Sequence, residues 1–346
     1  MSVEVEPMLN QADAPAAEAA EAPAEPRKKG SGRLGNLLKL GITVGVSAYV
    51  LWQAGLADSL RTLAGADWRW VALAAVSATV AMVINVKRWQ VMLAGQGDDA
   101  SLGTLTRLYL IASFFNNVLP SRFAGDVVRA YGASINVTSR TRSAVAVIMD
   151  RLIGAISVLL LGAFAVIVNP SVIPFQLSEV LFLGLAVGLL VVAVLTLRTP
   201  WHDKAHHLLA LFERLPVVGK RLSGRVQTAA RAVRAYAGRP GLLLWALLIS
   251  MVANGISIVN IYWYAVAVGA NVRLAEAAVV VPVVLAVGLL PISINGLGTI
   301  ELTFVLLLGL LGVDPEVALA VAILRRLVLL GQSLVGGILY SARRFG

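Results

Sequence analysis

The 346-residue chain contains no cysteine, only three histidines and only 14% charged residues. Without cysteine it forms no disulfide, no thiolate metal site and no thiol nucleophile. Soluble proteins carry roughly 25% charged residues, whereas this chain has 58% hydrophobic residues and a mean hydropathy of +0.81. This composition excludes an ordinary soluble domain and predicts an integral membrane protein.

Motifs for metal and nucleotide chemistry are also missing from the sequence. His202 and His206 have helical spacing, but no carboxylate completes an HExxH arrangement with them. There is no Gly-rich loop ending in Lys-Ser/Thr that would bind nucleotide phosphates. We therefore expect no metal, no cofactor and no nucleotide hydrolysis.

Charge is distributed unevenly along the chain, whose net charge is +10. Residues 1–33 begin with an acidic Ala/Glu/Pro-rich stretch typical of disorder and end in basic residues, so we interpret them as a tail. The membrane domain covers 34–342. Its basic surplus favours anionic lipid headgroups as partners and does not favour nucleic acid. The preference of basic loops for the cytoplasm explains most of the surplus equally well.

Six apolar runs are long enough to cross a hydrocarbon core of ~30 Å as helices. They are 34–55, 69–93, 143–168, 179–197, 241–267 and 317–341. Basic residues concentrate before the first run, in the loop 198–240 and after the last run. This asymmetry predicts that both termini and the loop are cytoplasmic, with the loop lying on the inner leaflet.

Two further apolar regions are interrupted by proline and glycine: 103–119 with 124–134, and 276–290 with 297–312. A broken helix is tolerated at membrane depth only where protein or a water-filled cavity satisfies its freed backbone groups. We interpret both regions as re-entrant hairpins, although the second is long enough for two full spans. The predicted fold is all-α and polytopic, with six full spans, two hairpins and eight or more membrane helices in total.

The two interrupted regions resemble each other. Pro120 and Gly125 in the first have the same spacing as Pro291 and Gly296 in the second, and the next spanning helix aligns after a four-residue gap. Three spans separate the starts of the two units, so the second enters the membrane from the opposite face and the repeat is inverted. Transporters with inverted repeats bind substrate near the midplane at the repeat interface. Short matches among Leu, Ala and Gly also arise by chance. The predicted units are 103–168 and 276–341.

Several charged residues lie inside the predicted spans. Asp150 and Arg151 are about eight residues into their helix, ~12 Å below the interface, and Arg325 and Arg326 reach a similar depth from the other side. A buried arginine costs at least ~2.5–3.5 kcal/mol, so each should face a cavity, a partner or a ligand. Glu301 is the expected acidic partner of Arg325 or Arg326.

The first break also contains a charged face. Arg122, Asp126 and Arg129 are spaced by four and three residues, which places them on one side of a short helix. Guanidinium groups suit phosphate oxygens. We expect phosphate contacts from Arg122, Arg129 and Arg151, and from Arg325 or Arg326. The alternative is that these charges form structural ion pairs: Arg122–Asp126, Asp126–Arg129 and Glu301–Arg325.

Polar residues flank both breaks and complete the candidate site. Most amides within apolar runs serve interhelical hydrogen bonds, but four side chains beside the breaks are retained as binding candidates. No residue is assigned a catalytic role. The candidate substrate-binding residues are Asn116, Asn117, Arg122, Asp126, Arg129, Asp150, Arg151, Ser293, Asn295, Glu301, Arg325 and Arg326.

Three stretches carry a family resemblance: NNVLPSRFAGDVVRAY from Asn116, DRLIG from Asp150 and PISINGLGTIE from Pro291. In this order they resemble the membrane-embedded flippase region of bacterial lysylphosphatidylglycerol synthetases and its stand-alone relatives, over about residues 35–342. The resemblance implies a helical domain that moves phospholipid between the leaflets of the bacterial inner membrane. The soluble aminoacyl-transferase half of two-part members is not found, so lipid aminoacylation is not expected.

The expected function is a lipid flippase whose headgroup path lies between the two hairpins. Its expected partners are membrane lipids, with anionic phospholipid favoured, a separate lipid synthase and a second copy of the chain. One alternative is a membrane-embedded transferase acting on lipid-linked substrates, which requires a base or nucleophile. Another is a lipid-binding subunit of a separate synthase.

Overall fold

A computed structural model describes residues 31–119, 124–134, 140–172, 235–236, 238–290 and 292–342, with the single residues 179, 183 and 184. Within these ranges the regular structure is helical and no strand occurs. All helix contacts described below lie within one compact body, Lys39–Gly346. Outside the described residues lie Arg122, nearly all of the predicted span 179–197, nearly all of the loop 198–240 with its histidines, and most of the tail 1–33.

The described helices follow one another in a simple order. They are α1 Ser31–Ala54, α2 Leu56–Ala64, α3 Trp68–Ala94, α4 Leu102–Val118, α5 Ala124–Ser134, α6 Arg140–Val168, α7 Pro240–Ala267, α8 Leu274–Leu289, α9 Thr299–Gly309 and α10 Pro315–Ala342. A short 3-10 helix, Ile294–Gly296, lies between α8 and α9.

Local sequence signals explain where several helices begin. The side chains of Asp67 and Ser101 cap α3 and α4, accepting a first-turn backbone N–H at 2.9 and 3.2 Å. Pro240 and Pro315 stand at the first positions of α7 and α10, where proline loses no helical hydrogen bond. Long apolar runs then continue each helix.

Four helices, α3, α6, α7 and α10, are long and apolar enough to cross a membrane. They confirm the predicted runs 69–93, 143–168, 241–267 and 317–341 as continuous helices. A fifth span results if α1 and α2, which are bent by 69°, count as one broken span. The described part of the chain is therefore an all-helical, polytopic membrane protein.

A short helix lies between the first two predicted runs, 34–55 and 69–93. Gly55, with φ 64, ends α1, and the chain then forms the nine-residue helix α2. Asp58 and Arg61 form an exposed ion pair of 2.9 Å on α2. The rings of Trp52 and Trp68 on either side of α2 are exposed, as expected of aromatic residues at a membrane interface.

Two groups of four helices correspond in order and nearly in length. The N-terminal unit, α3–α6, has helices of 27, 17, 11 and 29 residues. The C-terminal unit, α7–α10, has helices of 28, 16, 11 and 28 residues. The predicted units 103–168 and 276–341 contain the last three helices of each group, and a helix of similar length, α3 or α7, precedes each of them.

Corresponding first helices run in opposite directions. Asn260 Nδ2 on α7 donates to Ser77 Oγ on α3 at 2.9 Å, whereas Arg88 Nη1, further along α3, donates to Ser250 Oγ, earlier on α7, at 2.6 Å. The second helix of each unit packs against the fourth helix of the other, α4 on α10 and α8 on α6. The two units therefore interlock reciprocally.

The packed interior contains two hydrophobic clusters. One is centred on the C-terminal unit, where Tyr264, Phe304 and Leu324 are fully buried. The other surrounds Trp89 and Met149 of the N-terminal unit. Since lipid tails are as apolar as these side chains, close packing rather than transfer from water stabilises helix contacts within the bilayer.

Candidate functional site

The first break lies between the end of α4 and the start of α5. The backbone N–H of Gly125 donates to Asn116 Oδ1 at 2.7 Å, so the side chain of Asn116 ties the two helices together. A Cβ atom added to Gly125 would overlap the carbonyl oxygen of Ala112. Glycine is therefore required here because α4 and α5 approach closely.

The second break lies between α8 and α9 and contacts α1. The backbone N–H of Ile294 donates to Thr43 Oγ1 on α1 at 2.9 Å. Asn295 and Gly298 have positive φ values of 53 and 78, which turn the chain sharply. The backbone N–H of Gly298 donates to Glu301 Oε2 at 2.8 Å, so this carboxylate caps the start of α9.

The two breaks contact each other through side-chain amides. Asn295 Nδ2 donates to Asn117 Oδ1 at 2.8 Å, and Asn117 Nδ2 donates to the carbonyl oxygen of Ser113 at 3.1 Å. The hydroxyl groups of Ser293 and Thr299 are 2.8 Å apart within the second break. All four polar candidates beside the breaks therefore form hydrogen bonds that hold the breaks in place.

An acid–arginine pair occupies corresponding positions of both units. Arg151 donates to both carboxylate oxygens of Asp126 through Nε at 3.1 Å and to Oδ1 through Nη2 at 2.9 Å. Arg326 Nε donates to Glu301 Oε1 at 2.5 Å. The acids are the third residues of α5 and α9, and the arginines are the twelfth residues of α6 and α10.

These pairings refine the expectations for the acids. Glu301 was predicted to pair with Arg325 or Arg326, and its partner is Arg326. The alternative pair Asp126–Arg129 is present, with Arg129 Nη1 3.7 Å from Asp126 Oδ1, and Asp126 has a closer partner in Arg151 at 2.9 Å. Arg122, the other alternative partner, lies outside the described residues. Packing of α5 against α6 brings Arg151 to Asp126, which spacing within α5 alone does not show.

Asp150 forms a buried cluster with two arginines. Arg88 Nε donates to its Oδ1 at 2.7 Å and Arg129 Nη2 donates to its Oδ2 at 2.8 Å. The three side chains are 9%, 5% and 1% exposed for Arg88, Arg129 and Asp150. The Arg129 guanidinium also lies 4.3 Å from the Trp89 ring centre and 5.0 Å from that of Tyr109, which suits cation–π contacts.

Sequence reasoning missed Arg88, although a signal was present. Arg88 interrupts the apolar run 69–93, and an arginine within a span requires a partner or a ligand. Arg129 was expected to contact phosphate directly, but its side chain is enclosed by Asp150 and two rings. Arg151 lies about 17 Å along α6 at 1.5 Å per residue, because α6 begins at Arg140 and not at 143.

A cavity of about 340 Å³ lies between the units and is lined by residues of α3, α4, α6, α7, α8, α9 and α10. A compartment of about 220 Å³ adjoins it and shares Asn85, Tyr109, Ser257 and Arg325 with it. Three guanidinium groups line the larger cavity, those of Arg88, Arg151 and Arg325. Among the described residues that line either space, none is a carboxylate.

The charges beside the cavity do not balance within the described N-terminal unit. Arg88, Arg129 and Arg151 are three cations, and Asp126 and Asp150 are their two carboxylates, which leaves one positive charge. An uncompensated guanidinium is costly inside a membrane. Arginine binds phosphate and carboxylate oxygens with charge-assisted hydrogen bonds. The cavity is therefore suited to an anionic group.

Metal chemistry has no support in the part of the chain that the structure describes. No group of three or more His, Asp or Glu side chains is placed there to hold a metal ion. The candidate acids instead contact arginines.

The interlocked helices and the basic cavity define a polytopic membrane protein with a polar site between two similar units. The chain belongs to the family of lysylphosphatidylglycerol synthase transmembrane regions, whose family model matches residues 36–336. This match confirms the family that the three sequence stretches indicated.

Two relatives resemble nearly the full length of the chain. A UPF0104 membrane protein of Pyrococcus horikoshii is 24% identical over 333 residues, covering 89% of this chain and 96% of that protein. A UPF0104 membrane protein of Methanothermobacter thermautotrophicus is 24% identical over 307 residues, covering 83% and 89%.

Proposed function

We propose that this protein is a lipid transporter that moves a phosphate-bearing headgroup between the leaflets of the bacterial inner membrane. The observation that carries the proposal is the arginine-lined cavity between two interlocked units. Corresponding first helices of these units run in opposite directions. Such an arrangement is typical of transporters that bind substrate at the interface of inverted repeats.

In this mechanism the α4–α5 and α8–α9 hairpins enter the bilayer from opposite faces, which gives eight or more membrane helices in the whole chain. The headgroup occupies the cavity and the acyl chains remain in the bilayer. Arg151 and Arg325 contact the phosphate from the two units. A membrane potential supplies ~2.3 kcal/mol per charge per 100 mV, which favours outward movement of an anionic lipid when the inside is negative.

The orientation follows from charge and aromatic residues. Both termini and the basic loop 198–240 lie in the cytoplasm. The exposed Trp52 and Trp68, which flank α2, then mark the opposite membrane interface.

The state of the acids favours transport over lipid-linked transferase chemistry. A transferase requires a base or a nucleophile at the substrate. Asp126, Asp150 and Glu301 are each bonded to an arginine, and Glu301 also caps α9. These contacts support a structural role for each carboxylate and a protein that is not an enzyme.

Reconstitution of the full chain into liposomes tests the proposal. Vesicles contain a trace of phosphatidylglycerol with a fluorophore on its acyl chain, and a membrane-impermeant reductant quenches the outer leaflet. We expect quenching beyond the outer-leaflet fraction in protein-containing vesicles. Quenching equal to that of protein-free vesicles for phosphatidylglycerol, phosphatidylethanolamine and phosphatidylcholine, with folded protein, contradicts a transport function. Arg61→Gln, on exposed α2, is the control and should transport like the wild type.

A further inference from the structure

We infer that the cavity selects lipids by headgroup charge: it accepts a phosphodiester lipid with an uncharged, hydroxyl-bearing headgroup and rejects headgroups that carry an ammonium group. The inference rests on the proposed function for its role in transport. The binding preference itself is a property of the cavity wall and is measured separately.

The first argument is electrostatic. Arg88, Arg151 and Arg325 line the cavity, and the described lining holds no carboxylate. Behind the described wall, Asp150 pairs with Arg88 and Asp126 pairs with Arg151, and the buried Arg129 makes this group of three arginines and two carboxylates net positive. A phosphate is attracted by this wall, whereas an ammonium group meets like charges at close range without an acidic partner.

The second argument concerns the amides. Asn85 Nδ2 donates to the carbonyl oxygen of Ala81 at 3.0 Å, and Asn254 Nδ2 donates to Ser157 Oγ at 2.5 Å. Each contact engages one N–H of the amide with the protein. Within the described part of the chain, the amide carbonyl oxygens of Asn85 and Asn254 accept no hydrogen bond and can serve as acceptors for a ligand at the cavity wall.

The hydroxyl group of Ser257 behaves in the same way. It donates to the carbonyl oxygen of Ala253 at 3.0 Å, which leaves its lone pairs as acceptors. The wall thus combines cationic donors with neutral acceptors. Phosphate oxygens match the donors and headgroup hydroxyls match the acceptors.

The apolar part of the lining indicates a lipid rather than a free anion. Val158, Val284, Leu285 and Leu289 line the same cavity as the three arginines. An inorganic phosphate bound there would satisfy the arginines but leave these apolar side chains without a matching group. The glyceride part of a phospholipid presents hydrocarbon next to its phosphate and fits such a wall.

Native mass spectrometry of the full chain tests the preference. The purified protein receives an equimolar mixture of phosphatidylglycerol, phosphatidylethanolamine and lysylphosphatidylglycerol with identical acyl chains. We expect phosphatidylglycerol to exceed each of the other two by about tenfold in bound fraction. Equal retention of the three lipids overturns the inference. Soluble glycerophosphoglycerol or inorganic phosphate that displaces the lipid at equal concentration overturns the assignment of a lipid.

A variant that introduces a negative charge into the cavity tests the preference further. Asn85→Asp places a carboxylate in both compartments of the cavity. It should lower the bound fraction of phosphatidylglycerol and raise that of lysylphosphatidylglycerol, whereas Asn85→Ala should lower hydrogen bonding without reversing the preference. Gel filtration and melting curves show whether each variant is folded. An Asn85→Asp preference equal to that of Asn85→Ala, in two folded variants, overturns the inference.

The outcomes separate binding from transport. Preferential binding of phosphatidylglycerol, with no movement of lipid between leaflets, supports the inference and contradicts the proposed function. Equal movement of anionic and cationic lipids, together with equal binding, supports the function and overturns the inference.

Discussion

The N-terminal and C-terminal units share one ion pair and differ beside it. Asp126–Arg151 and Glu301–Arg326 occupy corresponding positions in the two units. The preceding residue, eleventh in its helix, is the buried Asp150 in α6 but the cavity-lining Arg325 in α10. An acidic and a basic residue therefore stand at the same place in the two halves.

The neighbouring helices explain this reversal of charge. Arg88 and Arg129 of the N-terminal unit correspond, counted from the starts of their helices, to Asn260 and Phe304 of the C-terminal unit. Two buried arginines require a carboxylate, whereas a neutral amide and a phenyl ring do not. Both units therefore keep the ion pair, whereas the adjacent position contributes a buried carboxylate in the N-terminal unit and a cavity-lining arginine in the C-terminal unit.

The largest expected effect is a loss of stability when Asp150 is replaced, because only the N-terminal unit has a carboxylate at this position. Asp150→Asn removes the carboxylate that bonds both Arg88 and Arg129 and leaves Arg129 only the longer contact to Asp126, which should destabilise the fold by about 3–5 kcal/mol. The measurement is the melting temperature in detergent, together with the yield of monodisperse protein. Arg325→Gln, at the corresponding position, is the matched comparison and should have the smaller effect. Equal losses in the two variants would show that the units use this position alike.

The second prediction compares how much the two shared ion pairs contribute to stability. Glu301→Gln removes the charge that pairs with Arg326 and weakens the cap on Gly298, for a loss of about 2 kcal/mol. Asp126→Asn should cost less, about 1 kcal/mol, since 44% of the Arg151 side chain is exposed and solvent screens the pair. Thermal melting of the two variants side by side checks the order. The reverse order would contradict a more buried pair in the C-terminal unit.

A third effect concerns transport and tests the divergent position. Arg325→Gln should slow movement of fluorescent phosphatidylglycerol on the order of tenfold, because it removes a guanidinium from the cavity wall. The initial rate of quenching in liposomes is the readout, with Arg61→Gln as the exposed-arginine control. A normal rate in folded Arg325→Gln protein would remove Arg325 from the headgroup path.

The smallest effect lies where the units meet. Asn117→Ala and Asn295→Ala each remove one side of the hydrogen bond between the two breaks. In a double-mutant cycle we expect a coupling of about 0.5–1 kcal/mol in stability. Melting curves of the two single variants and the double variant provide the measurement. Additive losses would indicate that the two breaks are energetically independent.

Much of the fold could be predicted from consecutive residues. The runs 69–93, 143–168, 241–267 and 317–341 are continuous helices, since length and hydropathy alone decide which segments suit a bilayer. The ends of α4 at Val118 and of α8 at Leu289 likewise agree with the prolines that follow them in the sequence. In contrast, α2 was missed because its nine residues alternate apolar and polar positions too briefly to signal a helix.

Partners within the site were harder to predict. Glu301–Arg326 was among the expected pairs because hydrocarbon leaves a buried arginine few alternatives. The two arginines that bind Asp150 are 62 and 21 residues away along the chain, so no local spacing relates them. The correspondence of α3 with α7 was also missed, because their sequences preserve length and direction and not a recognisable motif.

By itself, the sequence determined that this chain belongs in a membrane, where its helices are interrupted and which charges lie within its apolar runs. These properties depend on the solvation of each segment, which composition and order describe directly. The tertiary structure alone decided that Asp150 neutralises Arg88 and Arg129 while Arg325 lines a cavity. Such assignments depend on which helices pack together, because a charge in hydrocarbon takes its state from the nearest side chain in space.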